Sequence, residues 1–289
     1  MLINPKEILQ DAKKNNYAIA GINATTQEGI EAVIEAAEEL NAPLMLSHAQ
    51  AHEVFAPIDT FGPLMVEYAR KAKVPVIVHL DHGTDYSYVL RAVRAGFNSV
   101  MYDCAHLPFE ENVAEVKRFT EHAHNIGMIV EAEVGLMPSN IEGIGGCTEF
   151  GAGIEDIEQY YTEPHTAADF CHRTNVDTLT ISFGTVHGFF AEKPILDIER
   201  VKNIHALVPE VGLVMHGTTG VDEEQIRAAI DAGIRKFNYF TGVGTSANDA
   251  IAEKINQATA PVYYHEIAAV AKEAMKESAK HIIQIFQNK

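Results

Sequence analysis

Residues 17–48 read YAIAGINATTQEGIEAVIEAAEELNAPLMLSH, and two hydrophobic spacings alternate within them. Tyr17–Ala24 and Pro43–His48 are short, nearly continuous apolar runs, the pattern of strands buried on both faces of a parallel sheet. Between them GIEAVIEAAEEL, residues 29–40, puts Ile30, Val33, Ile34 and Ala37 on one helical face. The same unit recurs along the chain. Further apolar runs stand at Pro75–Asp81, Ser99–Asp103, Ile129–Gly135, Thr178–Gly184, Gly212–His216 and Lys236–Phe240. ENVAEVKRFTEHAHNIG (111–127) and DEEQIRAAIDAG (222–233) keep helical spacing and end on Gly, a common helix stop. Eight strands alternating with helices over about 250 residues is the count of a (β/α)8 TIM barrel. A doubly wound open sheet would show fewer strands, or a break between halves. One barrel domain spanning residues 1–289 is therefore expected. The strand-5 exit, Leu136–Tyr161, is long and rich in glycine, as mobile active-site loops are. Residues 262–289 are expected to form a helical extension that closes the barrel or meets another copy.

Composition narrows the function. The 289 residues hold 40 acidic and 22 basic side chains, a formal charge of −18. Such a balance argues against non-specific nucleic-acid binding, which needs clustered Lys and Arg, and against docking on anionic membranes. It leaves room for a phosphorylated small molecule, because backbone N–H groups can hold a phosphate locally. Cys104, Cys147 and Cys171 form no motif and suit a reducing compartment. MLINPKEILQDAKKNN has no apolar signal core, and no apolar run reaches spanning length. A cytoplasmic protein is the expectation.

In a barrel the chemistry sits at the C-terminal strand ends, and polar residues recur there: Asn23, His48, Asp81 with His82, Asp103, His187, His216 and Asn238 followed by Thr241. Glu131 and Glu133 are two apart on strand 5 and so share a face. Alone, each has a structural reading as a satisfied hydrogen-bonder or a buried pair. Together, three imidazoles and several carboxylates on one barrel face call for a cation, and three His with an open position compose a catalytic zinc site. Adjacent strand residues point oppositely, so Asp81 and His82 can both enter the site only if the strand ends there. Gly83 is expected to supply that turn. HGTTG, residues 216–220, and NYFTGVGTS, residues 238–246, each open a helix. Loops after strands 7 and 8 of barrels often bind phosphate through free helix-start N–H groups.

HLDHG (79–83), MYDCAHLPFEENV (101–113), VEAEVG (130–135), GTVHG (184–188), HGTTG (216–220) and GIRKFNYFT (233–241) resemble, in order and spacing, the class II ketose-bisphosphate aldolases. That family contains zinc-dependent fructose- and tagatose-bisphosphate aldolases and relatives acting on other ketose phosphates. The resemblance covers essentially the whole chain. It implies that His82, His187 and His216 bind Zn2+ and that Asp81 moves the proton of the substrate hydroxyl. Asp103 and Glu133 match positions near the metal that sometimes hold a second divalent or a monovalent cation. Gly188, Gly217, Thr219, Asn238 and Thr241 match positions around the dihydroxyacetone phosphate portion, Asn23 resembles the strand-1 asparagine of the site, and Thr218 is a further substrate- or phosphate-binding candidate. The departures fall where substrate is touched. Thr218-Thr219 stand for Gly-Ser or Ala-Ser, Gly242 for an acid, Ala105 for a Ser, and Ala49 for a Ser or Thr. The loop motif Gly-Gly-x-Glu-Asp is replaced by GLMPSNIEG, in which Glu142 falls near the expected carboxylate.

A carbanion beside a carbonyl can be stabilised by a Lys Schiff base or by a metal. Lys236 reads as the beginning of strand 8, the wrong end, and Lys193 as a loop residue. The metal route is therefore expected: reversible aldol cleavage of a ketose (bis)phosphate to dihydroxyacetone phosphate and an aldehyde. Asp81 would act as acid/base, and Glu142 would protonate the enediolate carbon. A homo-oligomer, dimer or tetramer, is expected. Two other readings stand beside this one, a barrel metal hydrolase using bound water and a non-catalytic barrel that binds sugar phosphates. The changed pocket positions predict that fructose 1,6-bisphosphate is a poor or secondary substrate.

Overall fold

The structure, a computed structural model, describes residues 1–135, 137, 157–188 and 193–288. Eight parallel strands close into a barrel in chain order: β1 (Ile19–Asn23), β2 (Leu44–Ala49), β3 (Val76–Gly83), β4 (Ser99–Tyr102), β5 (Ile129–Glu133), β6 (Thr178–Thr180), β7 (Gly212–Met215) and β8 (Ile234–Tyr239). β8 pairs back onto β1, so the sheet has no open edge. The TIM barrel expected from the alternating pattern is the observed fold. The helices are α1 (Pro5–Asn15), α2 (Gln27–Glu39), α3 (Ile58–Lys71), α4 (Tyr86–Ala95), α5 (Phe109–Asn125), α6 (Pro164–Thr174), α7 (Ile198–Leu207), α8 (Glu223–Ala232), α9 (Thr241–Asn256) and α10 (Tyr264–Phe286).

Local chemistry sets the helix ends. The Thr26 hydroxyl caps α2 by accepting the Gly29 N–H at 3.0 Å. α4 is capped by Asp85, and it stops at Gly96, whose φ of 97° is left-handed. The N-terminal stretch, read above only as lacking a signal, forms α1. Its Ile8, Leu9 and Ala12 pack with Ile19, Met45, Ile77 and Ile129 and fill the base of the barrel. α10 lies over the β8–β1 seam. Phe286 stacks on Phe237 of β8 with ring centroids 4.5 Å apart, and the Phe286 carbonyl accepts the Ala18 N–H at 2.9 Å. Lys272 of α10 ties to Glu31 and Glu35 of α2 at 2.9 and 2.7 Å.

Several expected boundaries shift. β6 holds a ladder only over Thr178–Thr180, not to Gly184. β4 ends at Tyr102, β5 at Glu133 and β7 at Met215, so Asp103 and His216 lie just beyond their strands. β2 runs one residue past His48, and His48 turns to the helix layer, where its Nε2 meets the Tyr88 hydroxyl at 3.0 Å and its ring lies beside Phe61. Lys236 does not begin its strand. It is the third residue of β8, fully buried inside the barrel. There Lys236 Nζ donates to both oxygens of Glu131 at 2.9 and 2.7 Å. His79 and Ser99, 2.7 Å apart, complete this polar middle layer with Thr180. Most of the expected lid, with Glu142 and Cys147, lies outside the described residues. No helix among the described residues is long and apolar enough to cross a membrane.

Candidate active site

The site forms above the polar layer, and the end of β3 shapes it. Pairing of β3 with β4 jumps from Leu80–Val100 to Gly83–Tyr102, one extra residue on β3. His82 absorbs the bulge with φ of 47°. The left-handed turn thus falls on His82 itself, not on Gly83 as expected. Gly83 is needed for a different reason: a Cβ there would come within 2.7 Å of Leu80 and 2.8 Å of Val89. A non-glycine residue in this region costs about 1–2 kcal/mol. The bulge lets consecutive residues, Asp81 and His82, both face the barrel mouth.

Three imidazoles converge there. His82 Nε2 lies 2.9 Å from His216 Nδ1, and His187 Nε2 lies 3.4 Å from the same atom. Ligands of a tetrahedral zinc about 2.0–2.1 Å away would sit about 3.3 Å apart, so the nitrogens fit one cation between them. The far nitrogens of two are fixed. His82 Nδ1 contacts Asp103 Oδ2 at 2.7 Å, and His216 Nε2 contacts Glu131 Oε1 at 3.3 Å. Carboxylates in this position orient metal-binding histidines and raise their basicity. Lys236 in turn anchors Glu131, so a line of charge runs from the barrel core to His216. His82, Asp103 and Glu133 form a second possible cation cluster, sharing His82 with the first.

The electrostatics support a cation here. Burial opposes charge on His82, but the Asp81 and Asp103 carboxylates outweigh it and lift the ring to about 10. Burial, reinforced by the His82 charge, holds His187 well below its ordinary value, and burial lowers His216 too. Burial also works against the Asp81 carboxylate, yet His82, His216 and Lys236 hold it well below the usual range. Burial first, then the Asp103 charge, pushes Glu133 up to about 8. A proton on His82 occupies the place a metal would take, and the two compete for it.

Asp81 is steadied by two amides. Asn23 Nδ2 donates to its Oδ2 and Asn238 Nδ2 to its Oδ1, each at 2.8 Å. Asn23, Asp81, His82, His187, Gly188, Gly217, Thr218, Thr219, Asn238 and Thr241 line a common cavity of about 80 Å³. All were candidates in the sequence. Asp103 and Glu133 sit behind His82 rather than on the cavity wall. Asn23 Oδ1, Asn238 Oδ1, Thr218 Oγ1 and His187 Nδ1 are buried without a hydrogen-bond partner among the described residues. The loops after β7 and β8 meet where the Gly242 N–H donates to Thr219 Oγ1 at 3.2 Å. Gly217 has φ of 68°, and a Cβ there would strike the Val186 carbonyl.

Two site features are hard to read in the sequence. β8 begins at Ile234, two residues before the run expected from Lys236, and that hides the place of Lys236. Counting from Ile234, period two puts Ile234, Lys236 and Asn238 on one face. His52 and Phe240 also line the cavity, and no motif covers His52.

Comparison with known proteins bears on this geometry. The sequence model of the family described as fructose-bisphosphate aldolase class-II matches residues 3–289. The YdjI aldolase of Escherichia coli K12, a crystal structure, is 32% identical with a TM-score of 0.86, over 99% of this chain and 97% of that one. A fructose-1,6-biphosphate aldolase described as putative, from Coccidioides immitis, is 26% identical with a TM-score of 0.85, over 99% and 96%. The fructose-bisphosphate aldolase of Campylobacter jejuni, 21% identical over 99% and 95% with a TM-score of 0.79, bears on the fold alone. With a family match across nearly its whole length and a relative of this identity, the chain belongs to the class II fructose-bisphosphate aldolase family, the metal-type carbon–carbon lyases.

Proposed function

We propose that this aldolase is zinc-dependent and cleaves a ketose phosphate to dihydroxyacetone phosphate and an aldehyde, with Asp81 as its acid/base. The observation that carries the reading is the convergence of the His82, His187 and His216 nitrogens beside an Asp81 carboxylate fixed by two asparagines. A divalent cation held by the three histidines supplies Lewis-acid stabilisation of negative charge on the ketose oxygens. Asp81 takes the proton from the carbinol hydroxyl as the carbon–carbon bond breaks and returns it in the condensation direction. Asn23 and Asn238 keep Asp81 aimed and charged, which pre-pays the orientation that proton transfer requires. Backbone N–H groups of Gly188, Gly217, Thr219 and Thr241 hold the phosphate without basic side chains, as an acidic protein requires. Glu142, outside the described residues, is the proposed lid carboxylate. Asp103 and Glu133 are proposed to orient His82 and to receive an alternative cation. A cytoplasmic homo-oligomer is part of the same proposal.

The test is a panel of ketose 1-phosphates and ketose bisphosphates, assayed by coupled release of dihydroxyacetone phosphate before and after chelation. Release that stops with chelation and returns with zinc is the expected result. Metal retention with no cleavage of any panel member would favour the hydrolase or non-catalytic alternatives.

A further inference from the structure

The turn between β2 and α3 carries a histidine that the reaction outlined above leaves unused. His52 closes a single 3-10 turn, Gln50–His52, is 3% exposed and lines the active-site cavity. Neither of its ring nitrogens has a hydrogen-bond partner among the described residues. Leaving a buried donor and acceptor unmade is costly, so a folded protein that does so at a cavity wall holds them for a ligand. The turn is clamped on both sides of His52. Gln50 Oε1 accepts the Thr84 and Asp85 N–H groups at 2.9 and 3.2 Å. Glu53 accepts the Ile58 N–H at 2.9 Å and the Tyr88 hydroxyl at 2.7 Å, and pairs with Arg91 at 2.6 Å. His52 is thus preorganised, with its ring against Phe240 at 4.7 Å.

The ring's chemistry selects the ligand. Burial lowers its pKa, so the imidazole is neutral and offers one N–H donor and one lone-pair acceptor. A hydroxyl, itself donor and acceptor, complements that pair. A phosphate dianion would be served only by the donor. No Lys or Arg stands among the described residues lining the cavity to hold a second phosphate. We propose that His52 reads an uncharged hydroxyl on the aldehyde half of the substrate, with Phe240 beneath its C–H face, so that the favoured aldehyde is an unphosphorylated hydroxyaldehyde. The assignment rests on the aldolase reading above and deepens it.

The test runs the metal-loaded enzyme in the condensation direction, with dihydroxyacetone phosphate and one of glyceraldehyde, propionaldehyde or glyceraldehyde 3-phosphate. The wild type should favour glyceraldehyde over propionaldehyde by at least about tenfold in kcat/KM, the scale of one net hydrogen bond. His52→Phe and His52→Leu should cut that ratio to about threefold or less, with most of the loss in the aldehyde KM, while His52→Gln keeps part of it. Two apolar variants guard against one that misfolds, which a thermal melt reveals. An unaltered ratio in a folded His52→Phe or His52→Leu enzyme overturns the assignment, as does a wild-type preference for glyceraldehyde 3-phosphate. Failure of the wild type to condense any of the three aldehydes overturns the aldolase reading itself, and His52 falls with it.

Discussion

Asp81 and His82 show how one residue's backbone decides what its neighbour can do. The left-handed φ at His82 turns both side chains into the mouth, and the two amides on Asp81 leave its carboxylate charged and aimed. Replacing Asp81 with Asn keeps the shape and removes the proposed base. We expect kcat to fall by about 10²- to 10⁴-fold with zinc stoichiometry, measured by atomic absorption, unaltered. Loss of metal in that variant would instead make Asp81 part of the metal's support. Lys236 poses a different question, since it never reaches the mouth. It neutralises Glu131, and Glu131 faces His216. Lys236→Met leaves that carboxylate buried and uncompensated, which should cost about 3–5 kcal/mol in urea unfolding. Adding Glu131→Leu should recover much of that stability. It should not recover activity, because His216 still lacks the partner that orients it.

At the scale of elements, the junction of β8 and α9 explains a departure that the sequence could only note. Gly242 stands where the family usually places an acid. A Cβ at 242 would strike the Tyr239 hydroxyl, which contacts Ser278 of α10 at 3.2 Å. Any side chain at 242 must displace Tyr239 and loosen the docking of α10. Gly242→Ala is therefore expected to destabilise by about 1–3 kcal/mol, but by little in a Tyr239→Ala background, where the hydroxyl and the ring carbon that this Cβ would strike are both gone. Equal losses in the two backgrounds, read from denaturant midpoints, would show that the contact is relieved elsewhere. The strands and helices themselves were legible, because a strand buried on both faces reads as an unbroken apolar run. Their ends were not. β6 stops after three residues where the apolar run continues, since a ladder ends when its neighbour's backbone diverges, and that divergence leaves no mark in composition.

For the whole molecule, closure brings residues from six strands and their exits to one cavity, and a bound metal would link their positions. Ligand that binds only the folded barrel stabilises it by mass action, about 2.7 kcal/mol at a free concentration of one hundred times Kd. Chelation should therefore lower Tm as well as abolish cleavage, and zinc should restore both. A Tm indifferent to chelation in protein shown to carry zinc would mean that the histidines are held by the barrel alone. His82→Asn and His216→Asn variants should show a smaller Tm dependence on added zinc than the wild type.

The sequence by itself determined the barrel and the set of polar strand ends, because both follow from spacing along the chain: short unbroken apolar runs for the strands and helical spacing between them. It also placed Glu131 and Glu133 on one face, and both are buried inside the barrel. Tertiary structure alone decided that His48 serves the helix layer while His52, four residues on, serves the cavity. A turn's direction depends on what clamps it, here Thr84, Asp85, Tyr88 and Arg91 from distant segments. It alone decided that Lys236 is a buried counter-ion, since whether a lysine is solvated or paired depends on a carboxylate 105 residues away. Spacing is local and is written in the sequence. The pairing of charges across a closed sheet is not, and it exists only once the last strand meets the first.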